Sequence, residues 1–441
     1  MTMMYDLSMM PRRMAATTIP ARRWLLGPGA LLVLAGSLFN FGLCFADTRH
    51  LLHVSSAVAT VCELVILGIG MTLIRHRLSA RFFAVACVTS GILIGIKLIN
   101  PDLDLKILHD LLVMYVFYVL GTTSNIDEGN RLVWVLMGIV LAVGLVELLL
   151  PALYGSLFDV WTYYVDKGVL ATTTVNYGAT TEFISGSRGG TLSRTFFPGL
   201  FGPIRISSIF LEPVSLGNFS VIVFAWCLST WRRFSLAWLT LVGLAGFAMI
   251  LGDSRFASGC WVLMLALRLS GLYRGRFVVL CLPVMSMLGL LIAGSVHEMP
   301  GVRPAIIGDD FAGRLLFSGR LLNYWNLPQW FALAKSQVYT SDTGYAYFIN
   351  NLGLPLSLMF LVLFVWNQGP TKQAQSMKAM IALFAATSLC IGANMFTIKT
   401  AALLWFLYGT TASIPLRSAI LSRGINSTKP SRVWPTEEAA I

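Results

Sequence analysis

Residues 132–153 read LVWVLMGIVLAVGLVELLLPAL, with Glu147 the one charge in the run. An uninterrupted apolar stretch of roughly 20 residues is what a helix needs to cross a bilayer. In hydrocarbon each backbone N–H and C=O must find its partner within its own segment, so such a run is a spanning helix. The pattern recurs near residues 24–46, 51–73, 81–98, 105–121, 208–228, 234–251, 256–269, 277–296, 344–365, 377–395 and 398–416. The runs at 256–269 and 398–416 are short, which fits tilted or partly re-entrant segments. The expected fold is all-α: a polytopic integral membrane protein with about 12 transmembrane helices.

Composition points the same way. Of 441 residues 56% are hydrophobic and 12% charged, with a mean hydropathy of +0.74; soluble domains carry about 25% charged residues. The net charge of +12 sits in short Lys/Arg clusters between apolar runs. No basic face forms on a soluble domain, so nucleic acid is not an expected partner. The clusters set orientation instead. With the N-terminus inside, cytoplasmic segments hold Arg22, Arg23, Arg75, Arg77, Arg81, Arg268, Arg274 and Arg276, among others. The opposite side holds little beyond Arg49, Lys106, Arg255 and Lys399. Both termini are therefore expected in the cytoplasm, with acidic Asp127 and Glu128 running against the trend. The run at 24–46 is too long for a cleavable signal and reads as the first span.

This topology puts two long connections, 154–207 and 297–343, on the outer face of a single membrane domain covering 1–441. A tail over 418–441 is expected to be disordered and cytoplasmic. Connections in a bundle need only a few residues, so long ones read as functional. Within the first, Phe158, Trp161, Tyr164 and Val165 have amphipathic spacing over 157–169, expected to lie along the interface. The seven cysteines fall inside apolar runs without a CxxC pair and read as packing residues. The five histidines form no HxxxH or HExxH spacing, so neither a metal nor a cofactor is expected.

Ionisable residues at the edge of spans are costly, and three sets draw interest. In RISSIFLEP, residues 205–213, Arg205 is expected at the outer end of a span with Glu212 one to two helical turns inside. Pro213 would leave a backbone carbonyl free near that carboxylate; a structural Arg–Glu pair is the plainer alternative. Gly252-Asp253-Ser254-Arg255 is a tight outward turn, which needs polar residues in any case. The second long connection holds Arg303 and Arg314, read as solvated, and Arg320 and Asp342, read as site candidates. Guanidinium forks match phosphate oxygens bidentately, which suits a diphosphate. A nearby carboxylate can take a proton from a sugar hydroxyl. Arginines can stabilise a departing diphosphate without a metal.

At these residues the chain resembles the Wzy-type polysaccharide polymerases of the O-antigen polymerase and ligase superfamily, and most closely the xanthan-type members. The similarity rests on RISSIFLEP, on Ser254-Arg255, on Ser318-Gly319-Arg320 with Trp325, and on Asp342-Thr343-Gly344-Tyr345 running into Asn351-Leu352-Gly353-Leu354. Ligases of the superfamily carry a histidine where the second long connection enters the next span. This chain has Asp342 there, and His297 lies at the far end of the connection. The resemblance implies a GT-C-like bundle in the bacterial inner membrane with a periplasmic active site. It implies a metal-independent inverting glycosyltransferase that joins undecaprenyl-diphosphate-linked oligosaccharide repeats en bloc into exopolysaccharide. Arg205, Arg255 and Arg320 would bind the diphosphate, and Glu212 or Asp342 would activate the acceptor hydroxyl. Implied partners are a flippase and a chain-length copolymerase with its exporter. Two alternatives stand beside this: a ligase using the same donor, and a lipid-linked glycan transporter. For transport Glu63, Lys97 and Glu147 would be the intramembrane charges, although no internal repeat supports it.

Overall fold

Serine, threonine or asparagine side chains cap six of the described helices, and proline stands in the first turn of four others. The computed structural model describes residues 26–170, 200–201, 204–231, 235–296, 311–336, 340, 343–367, 369 and 371–413. His297, Arg303, Asp342 and the tail at 418–441 lie outside the described residues. The chain first forms α1 (Pro28–Thr48), α2 (Ser56–Ile74), α3 (Ala80–Ile99), α4 (Lys106–Thr122) and α5 (Ile126–Leu149). Two short helices, α6 (Pro151–Leu157) and α7 (Val160–Asp166), open the first long connection. Then come α8 (Pro213–Thr230), α9 (Leu236–Leu251), α10 (Arg255–Leu269) and α11 (Arg276–Val296). The second connection carries α12 (Phe311–Asn323) and α13 (Leu327–Trp330). The chain closes with α14 (Gly344–Trp366), α15 (Lys372–Ser388) and α16 (Ile398–Ala412). Ser55, Ser79, Asn125, Ser235, Ser254 and Thr371 each accept a backbone N–H at the start of a helix. Such caps satisfy donors the first turn leaves open.

Seven of these helices, α1, α2, α3, α5, α8, α11 and α14, are long and apolar enough to cross a membrane. No β-strand occurs among the described residues, and the protein is an all-helical, multi-pass membrane protein. The other five long helices run only 15 to 17 residues. Helix α8 is the centre, with 89% of its apolar window buried; the corresponding share is 17% for α3 and α11. On those outer helices Leu98 is 81% exposed and Phe277 80%. An apolar surface of that extent needs lipid against it.

Several boundaries differ from the sequence reading, α15 by five residues at its start and seven at its end, and three of the differences have a visible cause or consequence. The run at 132–153 breaks at Leu150, because Pro151 starts a separate short helix. The amphipathic stretch at 157–169 is helical only over α7, and its Tyr164 turns inward and is buried. The span expected at 208–228 begins only at Pro213, which occupies the first turn of α8. Proline's fixed φ and missing N–H favour that position.

Helices α4 and α16 form the most intimate pairing. A Cβ at Gly409 would strike the Tyr118 carbonyl and come within 2.8 Å of the Gly121 Cα. A side chain there cannot be absorbed, since both neighbours are backbone. Gly409→Val should therefore destabilise the fold by about 1–3 kcal/mol through overpacking. Thermal unfolding of the detergent-solubilised protein measures this. Gly91→Ala, where the added carbon meets nothing within 4 Å, should leave the midpoint unchanged. A second special glycine, Gly353, interrupts α14 at φ 77 two residues before Pro355. The kink turns the first part of α14 towards the second connection, where the Phe331 carbonyl approaches Gly353.

Candidate functional site

The ends of α8 and α16 nearest the two long connections gather the candidate residues. Residues 205–212 do not continue α8, so Glu212 stands at the helix start and not within it. The chain runs extended to Ser207, turns through the 3-10 segment Ser208–Phe210, and reaches Leu211 at φ 60. Ser208 also lies at positive φ, 52. Glu147 of α5 holds this strained turn. Its carboxylate accepts the backbone N–H and the hydroxyl of Ser207, both at 2.9 Å, and the N–H of Ser208. Tyr154 donates its hydroxyl to the Ser208 carbonyl at 3.1 Å. Bonds from charged acceptors to several donors are strong enough to offset such backbone strain.

The same segment docks on the α9–α10 turn. Ile206 donates its N–H to the Leu251 carbonyl at 3.1 Å, and the buried Arg205 donates Nε–H to the Gly252 carbonyl at 3.0 Å. Asp253 is buried at φ 44, Ser254 caps α10, and Arg255 is exposed on its first turn. The fold thus brings together the first two sets read from the sequence.

Glu212 pairs with Lys399, not with Arg205. The Lys399 ammonium lies 2.6 Å from one carboxylate oxygen, which also accepts the Ser215 hydroxyl at 2.8 Å. The other oxygen accepts the Tyr164 hydroxyl at 2.8 Å. Burial alone would raise the Glu212 carboxyl; Lys399 and the three hydrogen bonds outweigh it and hold the group below the usual range. Burial, with the Glu212 carboxylate beside it, keeps the Tyr164 phenol well above its ordinary value. Next to them Asn40 accepts from the Tyr163 hydroxyl at 2.7 Å and from the Lys167 ammonium at 2.9 Å. Burial pushes Lys167 down to about 8, with Lys399 and Lys106 adding to the fall and Glu63 and Glu212 opposing it.

Arg320 lies in the last turn of α12, in the second long connection. That helix packs on α11 where Gly319 meets Gly294, and it touches the α15–α16 connection through Ser318, whose hydroxyl donates to the Cys390 carbonyl at 2.9 Å. Arg314, read as solvated, instead donates to the Ile391 carbonyl of the same connection at 3.4 Å.

The sequence reading missed Lys399 as the partner of Glu212, and it missed Tyr164, Lys167 and Asn40 as polar neighbours. Their residue types were visible, but pairing across 187 positions is a property of the fold. It also missed His109, held between Glu63 at 3.3 Å and Asp110 at 3.2 Å, with the Tyr347 hydroxyl on Asp110 at 2.8 Å. The intramembrane charges singled out for transport have local partners. Glu147 caps the 3-10 turn, Glu63 meets His109, and Lys97 donates to the Leu103 carbonyl at 2.7 Å. One possible metal-binding group, not foreseen, is Asp47, His53 and Asp166, whose ligand atoms lie within 4.8 Å of one another. His53 is largely exposed, at 77%. A cleft of about 1010 Å³ opens at the opposite ends of α8 and α16 beside Asn125, Trp226 and Thr411, and none of the candidate residues is among its described lining.

Comparison of the chain with protein families, curated proteins and solved structures returns no match.

Proposed function

We propose that this chain polymerises undecaprenyl-diphosphate-linked oligosaccharide repeats into exopolysaccharide at the periplasmic face of a bacterial inner membrane. The observation that carries the reading is the convergence of Arg205, the Arg255 turn, Lys399 and Glu212 at one end of an apolar helical bundle. Cations from separate chain segments, at the level where a lipid diphosphate emerges from the bilayer, suit a charged leaving group. The N-terminus of α8 adds its positive dipole end at the same place.

In this mechanism the acceptor hydroxyl attacks the anomeric carbon of the growing chain. The bond to the diphosphate oxygen breaks, the configuration inverts, and undecaprenyl diphosphate leaves with the electron pair. Arg205, Arg255 and Arg320 stabilise the developing charge on the diphosphate. Of the two carboxylates named as bases, Glu212 is already committed to Lys399, Tyr164 and Ser215. A depressed, fully hydrogen-bonded carboxylate is a poor proton acceptor. Glu212 is better suited to hold Lys399 as a fourth cation, which leaves the proton to Asp342. A ligase would share the donor site and differ at the acceptor.

The purified chain, given lipid-linked repeats, should form polymer in the presence of EDTA. Loss of polymer on chelation, restored by a divalent ion, would overturn the arginine mechanism and direct attention to Asp47, His53 and Asp166.

A further inference from the structure

A second basic site lies at the far end of the bundle from the catalytic residues. A cleft of about 430 Å³ opens where the ends of α8 and α10 meet the start of α15, lined by Trp231, Arg268, Tyr273, Arg274 and Lys372 with neighbouring hydroxyl and amide groups. The Arg268 guanidinium stacks 4.4 Å from the centre of the Tyr273 ring and 6.0 Å from that of Trp231. Arg274 approaches Tyr273 from its own side, 5.6 Å from the ring centre, and donates Nε–H to the phenol oxygen at 3.3 Å. Burial would raise the Tyr273 phenol, but the two guanidiniums prevail and lower it.

Among the described residues no carboxylate lines this cleft, and none pairs with Arg268, Arg274 or Lys372. A bias of Lys and Arg towards one side of a membrane protein explains how many cations sit at this end. It does not explain why three converge on one cleft, where like charges repel unless an anion sits between them. Exposed apolar side chains neighbour the lining residues along the chain. Leu269 is 70% exposed, Leu272 59% and Phe277 80%, each within three residues of a lining arginine or tyrosine. A soluble phosphate has no use for such a surface, whereas acyl chains do.

We propose that this cleft binds the phosphodiester of an anionic glycerophospholipid. Arg268, Arg274 and Lys372 contact the phosphate, and the acyl chains lie along the exposed leucines of α10 and its junction with α11. The site is independent of the polymerase reading and of which way the bundle faces.

The test is native mass spectrometry of the full chain in detergent, titrated with phosphatidylglycerol or phosphatidylcholine. Phosphatidylglycerol should be retained preferentially, and Arg268→Gln with Arg274→Gln should weaken its binding by about tenfold or more, as expected for losing charge-assisted contacts. Lys372→Gln, at an exposed position that packing does not depend on, should shift binding in the same direction. Arg77→Gln, at an exposed position outside the cleft, should not. Equal retention of the two lipids, or undiminished binding by both cleft variants, would overturn the proposal. Displacement of phosphatidylglycerol by millimolar inorganic phosphate, with no preference between lipids, would mark a soluble-phosphate site and overturn the lipid assignment.

Discussion

Lysine in place of Arg205, Arg255 or Arg320 should cut polymer output by about 30- to 1000-fold while the protein still inserts and folds. The figure follows from losing a preorganised charged donor at the leaving group, roughly 2–4 kcal/mol of transition-state stabilisation. Lysine keeps the charge but not the fork, so a bidentate diphosphate contact is lost. The three positions are not equivalent. Arg205 is buried and already spends its Nε–H on the Gly252 carbonyl, so its lysine variant also loosens the α9–α10 turn. Arg255 is exposed on the first turn of α10, and its variant is the cleaner reading of phosphate binding. Arg77→Lys, exposed beyond the end of α2, is the comparison and should be silent. Polymer yield at matched membrane expression is the measurement. Three variants indistinguishable from Arg77→Lys would remove the diphosphate site.

Breaking the Glu212–Lys399 pair should have an effect of similar size on stability. The Lys399 side chain is 7% exposed and Glu212 21%, so Glu212→Gln strands an ammonium with little water. Removing one partner of a buried pair costs about 3–5 kcal/mol. Replacing both is far milder, and Glu212→Gln combined with Lys399→Met should regain most of the loss. A double-mutant cycle on thermal unfolding isolates the coupling. The pH dependence has a definite sign. A carboxyl held below its usual range contributes stability that is present above the unfolded value and fades as pH falls through the folded one. The wild type should therefore lose stability on acidification below the ordinary carboxylate range, and Glu212→Gln should flatten that slope. Additive single variants with an unchanged acid limb would mean the pair is a surface contact of little weight.

How much of this was legible beforehand depends on whether the signal was local. Apolar runs are local, and α1, α2, α3 and α10 fall within a few residues of where the sequence places them. Pro213 and Pro151 were also visible, yet hydropathy ran through both and hid two helix starts. The apolar letters of Ile209, Phe210 and Leu211 read as helix because the force that unwinds them, the Glu147 carboxylate, comes from 60 positions away. The same limit governs the site. Arg205, Glu212 and Arg255 were recognisable as costly charges at span ends, and Arg320 as a candidate in the second long connection. That Glu212 would meet Lys399, and Arg205 the Gly252 carbonyl, depends on helix packing that no short window encodes. The amphipathic spacing that marked Tyr164 pointed it to the membrane interface and not to Glu212, and Tyr347 carried no signal beyond its aromaticity.

The most direct test of the central claim is the lipid-linked glycan profile of a strain in which only this chain is deleted. Lone repeat units on undecaprenyl diphosphate should accumulate, with no polymer formed. Full-length glycan accumulating on the carrier would contradict the polymerase reading and place the chain at the later transfer step.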